Sequence, residues 1–187
     1  MPKILFILLL LCASQGCSQT VIEPRLRPAQ WGVPVIGTNL DNFYQVADGV
    51  YRSEQPDDDD LETLTDLGIK EILNLREYHS DEDAEEKNFT VHYVPMAAGS
   101  VTEQQLLTAL TKIKNRKAPI LIHCWHGSDR TGVTVAAYRV VFQNWSKKQA
   151  LDEMMNGDYG YHSSVYENLV ELINQLDVAK MKRELQP

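Results

Sequence analysis

His123-Cys124-Trp125-His126-Gly127-Ser128-Asp129-Arg130-Thr131-Gly132 is the stretch on which the reading of this chain turns. An apolar run, Pro119 to Ile122, leads into it, and an apolar helix-like segment, Thr131 to Trp145, leads out. The pattern predicts a strand, a tight loop and a helix N-terminus, with a thiol at one end of the loop and a guanidinium at the other. Such a loop surrounds an anion with backbone N–H groups, and the positive end of the helix adds to their field. The same groups favour a thiolate over a thiol. The chemistry this predicts is cleavage of phosphate esters through a phosphocysteine.

Working outward, short strands and helices alternate. Phe43 to Val46 and Val50 to Ser53 read as strand pieces around an Asp48-Gly49 hairpin turn, and Leu61 to Leu67 as a helix closed by Gly68. Ile69 to Leu75 and Val91 to Val94 read as strands, with a charged helix between them over Asp81 to Asn88. Thr102 to Asn115 is amphipathic, with Leu106, Leu107, Leu110 and Ile113 on one face. Its Thr102…Gln105 pair predicts a capping box, as do Ser146…Gln149 and Ser164…Glu167 at two later helices. The last helix is expected to run to about Leu185 and to bury Val165, Leu169, Leu172, Ile173 and Leu176. This alternation, with the wholly apolar Ile120-Leu121-Ile122, predicts an α/β domain whose central, mostly parallel sheet is flanked by helices. Ligands in such sheets sit beyond the carboxyl ends of strands, where Cys124 stands and onto which Arg76 should also open.

The N-terminus is set aside from the fold. Lys3, the apolar run Ile4 to Cys12 and the small polar Ala13 to Cys17 make residues 1–17 a signal peptide, with an apolar run too short to span a bilayer. Gly16-Cys17 also resembles a bacterial lipoprotein cleavage site, although Ser14 stands where such sites usually carry Leu. Two outcomes stay open: a soluble exported product, or a lipoprotein whose only membrane contact is a lipid anchor on Cys17. The expected location is the bacterial periplasm or its membrane face. Residues 18–40, with Pro24, Pro28 and Pro34, read as an extended tether, and the catalytic domain is expected over 41–187. Of three cysteines, only Cys124 lies beyond the leader, so no internal disulfide can form there.

The composition, 43% hydrophobic and 24% charged over 187 residues, suits one globular domain with a substantial core. A formal net charge of −8 argues against nucleic acid as a partner. The acidic clusters at Asp57 to Asp60 and Asp81 to Glu86 sit where helices begin and are expected to be solvated rather than metal-binding. His79, His92 and His162 are scattered without a metal-ligand spacing.

Each loop position has a physical task. A free thiol holds its proton at neutral pH, so the loop must favour the anion before Cys124 can attack phosphorus. Arg130 can hold two phosphoryl oxygens bidentately, and the N–H groups of Trp125, His126, Gly127, Ser128, Asp129 and Arg130 can supply the remaining contacts. Gly127 permits the curvature. Thr131 can donate its hydroxyl to the departing sulfur. No metal or other cofactor is called for. His123 is expected to hydrogen-bond structurally, and Arg139 to lie too far along the helix to reach the phosphate.

HCWHGSDRTG resembles the signature loop of the cysteine-dependent protein tyrosine and dual-specificity phosphatases. The similarity extends to Val50 through Pro56, Leu67-Gly68-Ile69-Lys70 and Ile72 through Arg76, which resemble compact dual-specificity enzymes. Ala137-Tyr138-Arg139 through Trp145 and Ala150 through Met154 are similar to exported bacterial members. The resemblance implies that fold, a phosphocysteine at Cys124, phosphate held by Trp125 to Arg130, no cofactor, and a phosphorylated protein or small phosphorylated substrate. One departure stands out. Family members usually carry a general-acid Asp on the loop after the strand that ends here at Pro95, but Met96 to Ser100 contains no carboxylate. Asp129 is the first candidate for that acid and Glu103 the second, with loop bracing the alternative role for Asp129. The leading function is hydrolysis of phosphotyrosine, extending to phosphoserine and phosphothreonine. Competing readings are an inositol phosphate or phosphoinositide phosphatase, and a catalytically dead phosphate-binding module. The sequence leaves the oligomeric state open.

Overall fold

The computed structural model describes residues 26–186, so the leader read over 1–17 lies outside the described residues. Six strands form one sheet in the order β1-β2-β3-β6-β4-β5: β1 (Val33–Pro34), β2 (Tyr44–Ala47), β3 (Val50–Ser53), β4 (Glu71–Asn74), β5 (Thr90–Tyr93) and β6 (Ile120–His123). β3, β6, β4 and β5 run parallel, and the β1–β2–β3 meander is antiparallel. Ser53 and Asn74 flank His123 in register. The chain therefore leaves β3, β4 and β6 at one edge, bringing Glu54, Arg76 and Cys124 together there.

The faces of the sheet alternate as a pleat requires. Leu73, Ile120 and Ile122 enter one core with α3 (Glu103–Asn115), α4 (Asp129–Phe142), α5 (Lys147–Asn156), α6 (Glu167–Gln175) and α7 (Val178–Glu184). Ile72 and Leu121 enter a smaller core on the other face, against Leu61 and Leu64 of α1 (Asp58–Asp66) and Ala84 of α2 (Glu82–Glu86). Thr131 to Val141 of α4 is buried without interruption, because α3, α5, α6 and α7 all pack around it. An all-round apolar helix is what such a central position demands.

Local chemistry sets the element ends. Thr102 and Ser146 make the expected capping boxes with Gln105 and Gln149, and Asp57 makes another with Asp60. Each such cap is worth about 1 kcal/mol. Gly68, at φ +74°, turns the chain from α1 toward β4. The third box is absent: α6 starts behind Tyr166 with no side-chain cap, and Val165 is exposed. Nor does that helix reach Leu185 unbroken. Leu176 turns to an extended conformation and Asp177 caps α7 by accepting from the Lys180 N–H at 2.9 Å.

The tether expected over 18–40 is corrected in its described part, 26–40. Trp31 and Leu40 are buried, β1 pairs with β2, and Arg27 donates to the Gly157 carbonyl at 2.8 Å and the Tyr159 hydroxyl at 2.7 Å. Pro34 is tolerated because β1 is an edge strand, where a missing ladder donor costs little. Packing thus begins before residue 41.

The acidic cluster at Asp81 also needs correction. Asp81 is buried and accepts from Gln55 Nε2 and His123 Nε2, each at 2.8 Å, rather than facing water. Arg139 is fully enclosed as well. Its Nε and Nη2 donate to the two carboxylate oxygens of Glu153, each at 2.7 Å, and its Nη1 to the Val46 carbonyl. Glu153 also accepts from the Gly32 N–H at 2.7 Å, so this pair fastens the N-terminal segment to the helical layer.

Candidate active site

Cys124 follows β6 directly and is buried, and the loop from Trp125 carries the chain into α4. The loop's carbonyls are tied outward. Gln55 donates its N–H to Trp125 O at 2.9 Å, and Asn42 its side-chain amide to His126 O at 2.7 Å. Arg52 donates Nη2 to Gly127 O. By contrast, no described group accepts from the N–H groups of Trp125 to Arg130. Donors collected on the inside of a turn, with carbonyls bound outside it, make an anion cradle.

Further donors are left over, Arg52 Nε beneath the loop among them. The Thr131 hydroxyl and Arg130 Nε are buried without a hydrogen-bond partner among the described residues. Leaving buried donors unsatisfied costs about 1–3 kcal/mol each. Both Thr131 and Arg130 belong to the first turn of α4, where an arriving anion would satisfy them.

Gly127 is required by two features at once. Its φ is +70°, and a Cβ there would lie 2.4 Å from the Ser53 carbonyl oxygen. The loop therefore rests directly on the end of β3. Arg52 supports it from below, buried, with its guanidinium 3.6 Å from the Tyr159 ring centroid. Burial pushes the Tyr159 phenol up to about 12, so it stays a neutral donor and packing surface.

His123 is fully enclosed, with Nε2 on Asp81 and Nδ1 3.1 Å from the Cys124 carbonyl. It is a structural histidine, as the sequence suggests. Burial pushes the Asp81 carboxyl up, but hydrogen bonds from His123 and Gln55 and the neighbouring histidines outweigh this and hold it below its ordinary range.

A cleft of about 390 Å³ opens above the loop, lined by Ala98, Trp125, His126, Asp129, Arg130, His162, Val165 and Tyr166. Of the sequence-predicted residues, Trp125, His126, Asp129 and Arg130 line it, and Ser128 turns inward, its hydroxyl against the His126 carbonyl at 3.4 Å. Glu103 is elsewhere, paired with Lys180 at 3.0 Å. Asp129 points both oxygens at His162, accepting from its N–H at 3.0 Å and from Nδ1 at 2.9 Å. Sequence spacing gave no hint of that pair, which lies 33 residues apart.

Arg76 sits at the same edge, its guanidinium 4.2 Å from the Trp125 ring centroid and Nη1 3.2 Å from Gln55 Oε1. Burial and then the nearby charge of Arg130 lower its affinity for a proton. Asn42 and Arg52 also went unread in the sequence, because their task is to hold backbone carbonyls and leaves no compositional mark.

A thiol at a strand end, a loop of inward donors and a guanidinium on the following helix define a site for cysteine-based phosphoryl chemistry. The chain belongs to the tyrosine phosphatase family, whose model matches residues 38–185. It is similar to the dual specificity protein phosphatase TpbA of Pseudomonas aeruginosa, with 32% identity over 124 residues, 64% of this chain and 56% of TpbA. The chain thus matches just over half the length of that relative. The crystal structure of TpbA in complex with pTyr superposes with a TM-score of 0.76 at 25% identity, covering 85% of this chain and 98% of that one. The inositol diphosphatase DSP2 of Oryza sativa subsp. japonica is 28% identical over 163 residues, covering 82% of this chain and 77% of its own.

Proposed function

We propose that this protein is a phosphatase that hydrolyses phosphotyrosine, and phosphoserine or phosphothreonine as well, through a phosphocysteine on Cys124. The observation that carries the reading is the set of donors without a partner on the turn that begins at the buried thiol: the loop N–H groups, Arg130 Nε and the Thr131 hydroxyl. In this mechanism the Cys124 thiolate attacks phosphorus in line with the leaving oxygen. Trp125 to Arg130 bind the phosphoryl oxygens through backbone N–H groups, and the Arg130 guanidinium carries the charge spread over the equatorial oxygens. Thr131 donates to sulfur as water displaces it. The likeness to TpbA, a dual specificity protein phosphatase with a pTyr complex, supports the same substrate class here. Exposed Trp125 and Val165 and the ring of Tyr166 at the cleft suit an aromatic ester.

Vanadate-sensitive release of phosphate from a phosphotyrosyl peptide tests the reading. Cys124→Ser and Arg130→Ala should each abolish turnover, and activity surviving both would end it. One observation favours a second reading, hydrolysis of a small polyphosphorylated substrate. Arg76 stacks on Trp125, which lines the cleft with Arg130, and so supplies a second cation there; a plant relative is named an inositol diphosphatase. Comparing phosphotyrosyl peptides with inositol diphosphates separates the two. The leader over residues 1–17 makes export part of the proposal, and cell fractionation with palmitate labelling at Cys17 tests it.

A further inference from the structure

We propose that His162, oriented by Asp129, donates the proton to the leaving oxygen. The assignment rests on the phosphatase reading above and supplies the acid that the Met96–Ser100 segment lacks. Asp129 offers two oxygens and both are engaged by His162, through its backbone N–H at 3.0 Å and ring Nδ1 at 2.9 Å. A carboxylate bound in this way is an acceptor and has no proton to give. Because the carboxylate accepts from Nδ1, that nitrogen carries hydrogen, and Nε2 at the far side of the ring is the atom that exchanges a proton. His162 lines the same cleft as Arg130, and its side chain is half-exposed there. A buried carboxylate holding one ring nitrogen fixes a histidine's tautomer and leaves the other nitrogen free for proton transfer.

The groups around His162 are compatible with this role. From α4 it meets Asp129 and the Arg130 that shares the cleft; from the loop it meets His126, with ring centroids 6.3 Å apart. Its own segment contributes Tyr166, edge-on at 6.4 Å, and Tyr161, and Glu167 follows at the start of α6. The Ala98 segment brings no charge to the cleft. Asp129 is thus the carboxylate that His162 touches, and its two contacts fix the position of the ring.

The steps balance. As the Cys124 sulfur forms its bond to phosphorus, the P–O bond to the leaving group breaks and that oxygen takes the proton from His162 Nε2. The neutral ring, still donating Nδ1–H to Asp129, then takes a proton from the attacking water. Water forms the new P–O bond, the S–P bond breaks, and inorganic phosphate leaves with the thiolate and imidazolium restored. The alcohol side of the substrate must therefore lie toward α6.

The test compares kcat for a phosphotyrosyl peptide and for 4-nitrophenyl phosphate in the full chain, against pH. His162→Gln should lower kcat on the peptide by on the order of 10²–10⁴-fold. The loss on the nitrophenyl ester should be much smaller, because that leaving group departs without a proton. The alkaline limb of the wild-type peptide profile should vanish with the histidine. Asp129→Asn retains the histidine but removes the carboxylate that orients it, so kcat on the peptide should fall while kcat on the nitrophenyl ester is largely kept. Equal losses on both substrates, in His162→Gln or in Asp129→Asn, would overturn the assignment, and the second variant decides alone if the first does not fold. Absence of any wild-type hydrolysis would instead fell the phosphatase reading, and this one with it.

Discussion

Replacing Gly127 by Ala probes the contact on which the loop's shape depends. An added Cβ would lie 2.4 Å from the Ser53 oxygen, 2.5 Å from its carbonyl carbon and 2.7 Å from the Glu54 nitrogen. All three are backbone atoms of the sheet edge, so no side chain can swing away to relieve them. Holding Ala at φ +70° adds a left-handed cost of about 1–2 kcal/mol. Overpacking adds about 1–3 kcal/mol more, for a sum of about 2–5 kcal/mol. In a chain of this size each kcal/mol moves Tm by about 2–4 °C, giving a drop of roughly 4–20 °C. The alternative to strain is for the loop to lift from β3, which would also break the Arg52 contact to the Gly127 carbonyl. A displacement of about 1 Å at reacting groups costs on the order of 10²-fold in rate. Thermal denaturation and kcat/KM on 4-nitrophenyl phosphate measure both effects. A variant within about 1 °C of wild type in Tm, with its activity intact, would refute the claim that the loop is seated on β3.

Two other perturbations follow from buried charge. Glu153→Ala leaves the Arg139 guanidinium enclosed without its carboxylate and frees the Gly32 N–H; the expected loss is about 3–5 kcal/mol, read by urea denaturation. A loss under about 1 kcal/mol would show that the pair is solvated in solution. The Asp81 carboxyl titrates below its ordinary value in the fold, so its stabilising contribution is complete above an unfolded value of about 3.9 and is lost as pH falls through the lower folded value. The Tm advantage of wild type over Asp81→Asn should therefore hold from neutral pH to about 4 and shrink below it; a gap that is flat down to the acid limit would contradict the buried His123–Asp81 contact.

What the sequence made legible was local. Ser or Thr with Gln three residues on announced α3 and α5, since both partners of a capping box lie within one turn. Cys124 to Gly132 announced the loop, because strand, turn and helix follow one another without interruption. What stayed hidden were pairings between distant elements. Composition averages a cluster, so the one buried acid, Asp81, could not be told from its solvated neighbours. Prolines made residues 26–40 look unpacked, although Trp31 finds its place against a network anchored 122 residues later at Glu153. Ser164…Glu167 had the letters of a cap, yet the chain enters α6 at Tyr166, in contact with the cleft. The Asp129–His162 pair depends on the α5–α6 connection folding back over α4, and no short-range pattern encodes that. The loop from Cys124 was readable for the opposite reason: a phosphate-binding turn concentrates its donors within one contiguous stretch.

The decisive measurement is a rapid acid quench of the enzyme with ³²P-labelled phosphotyrosyl peptide, followed by mapping of the labelled residue. Label confined to Cys124, absent in Cys124→Ser and chased by water into inorganic phosphate, is the expected result. Wild-type turnover with no label at Cys124, or turnover that persists in Cys124→Ser, would contradict a phosphocysteine mechanism at this loop.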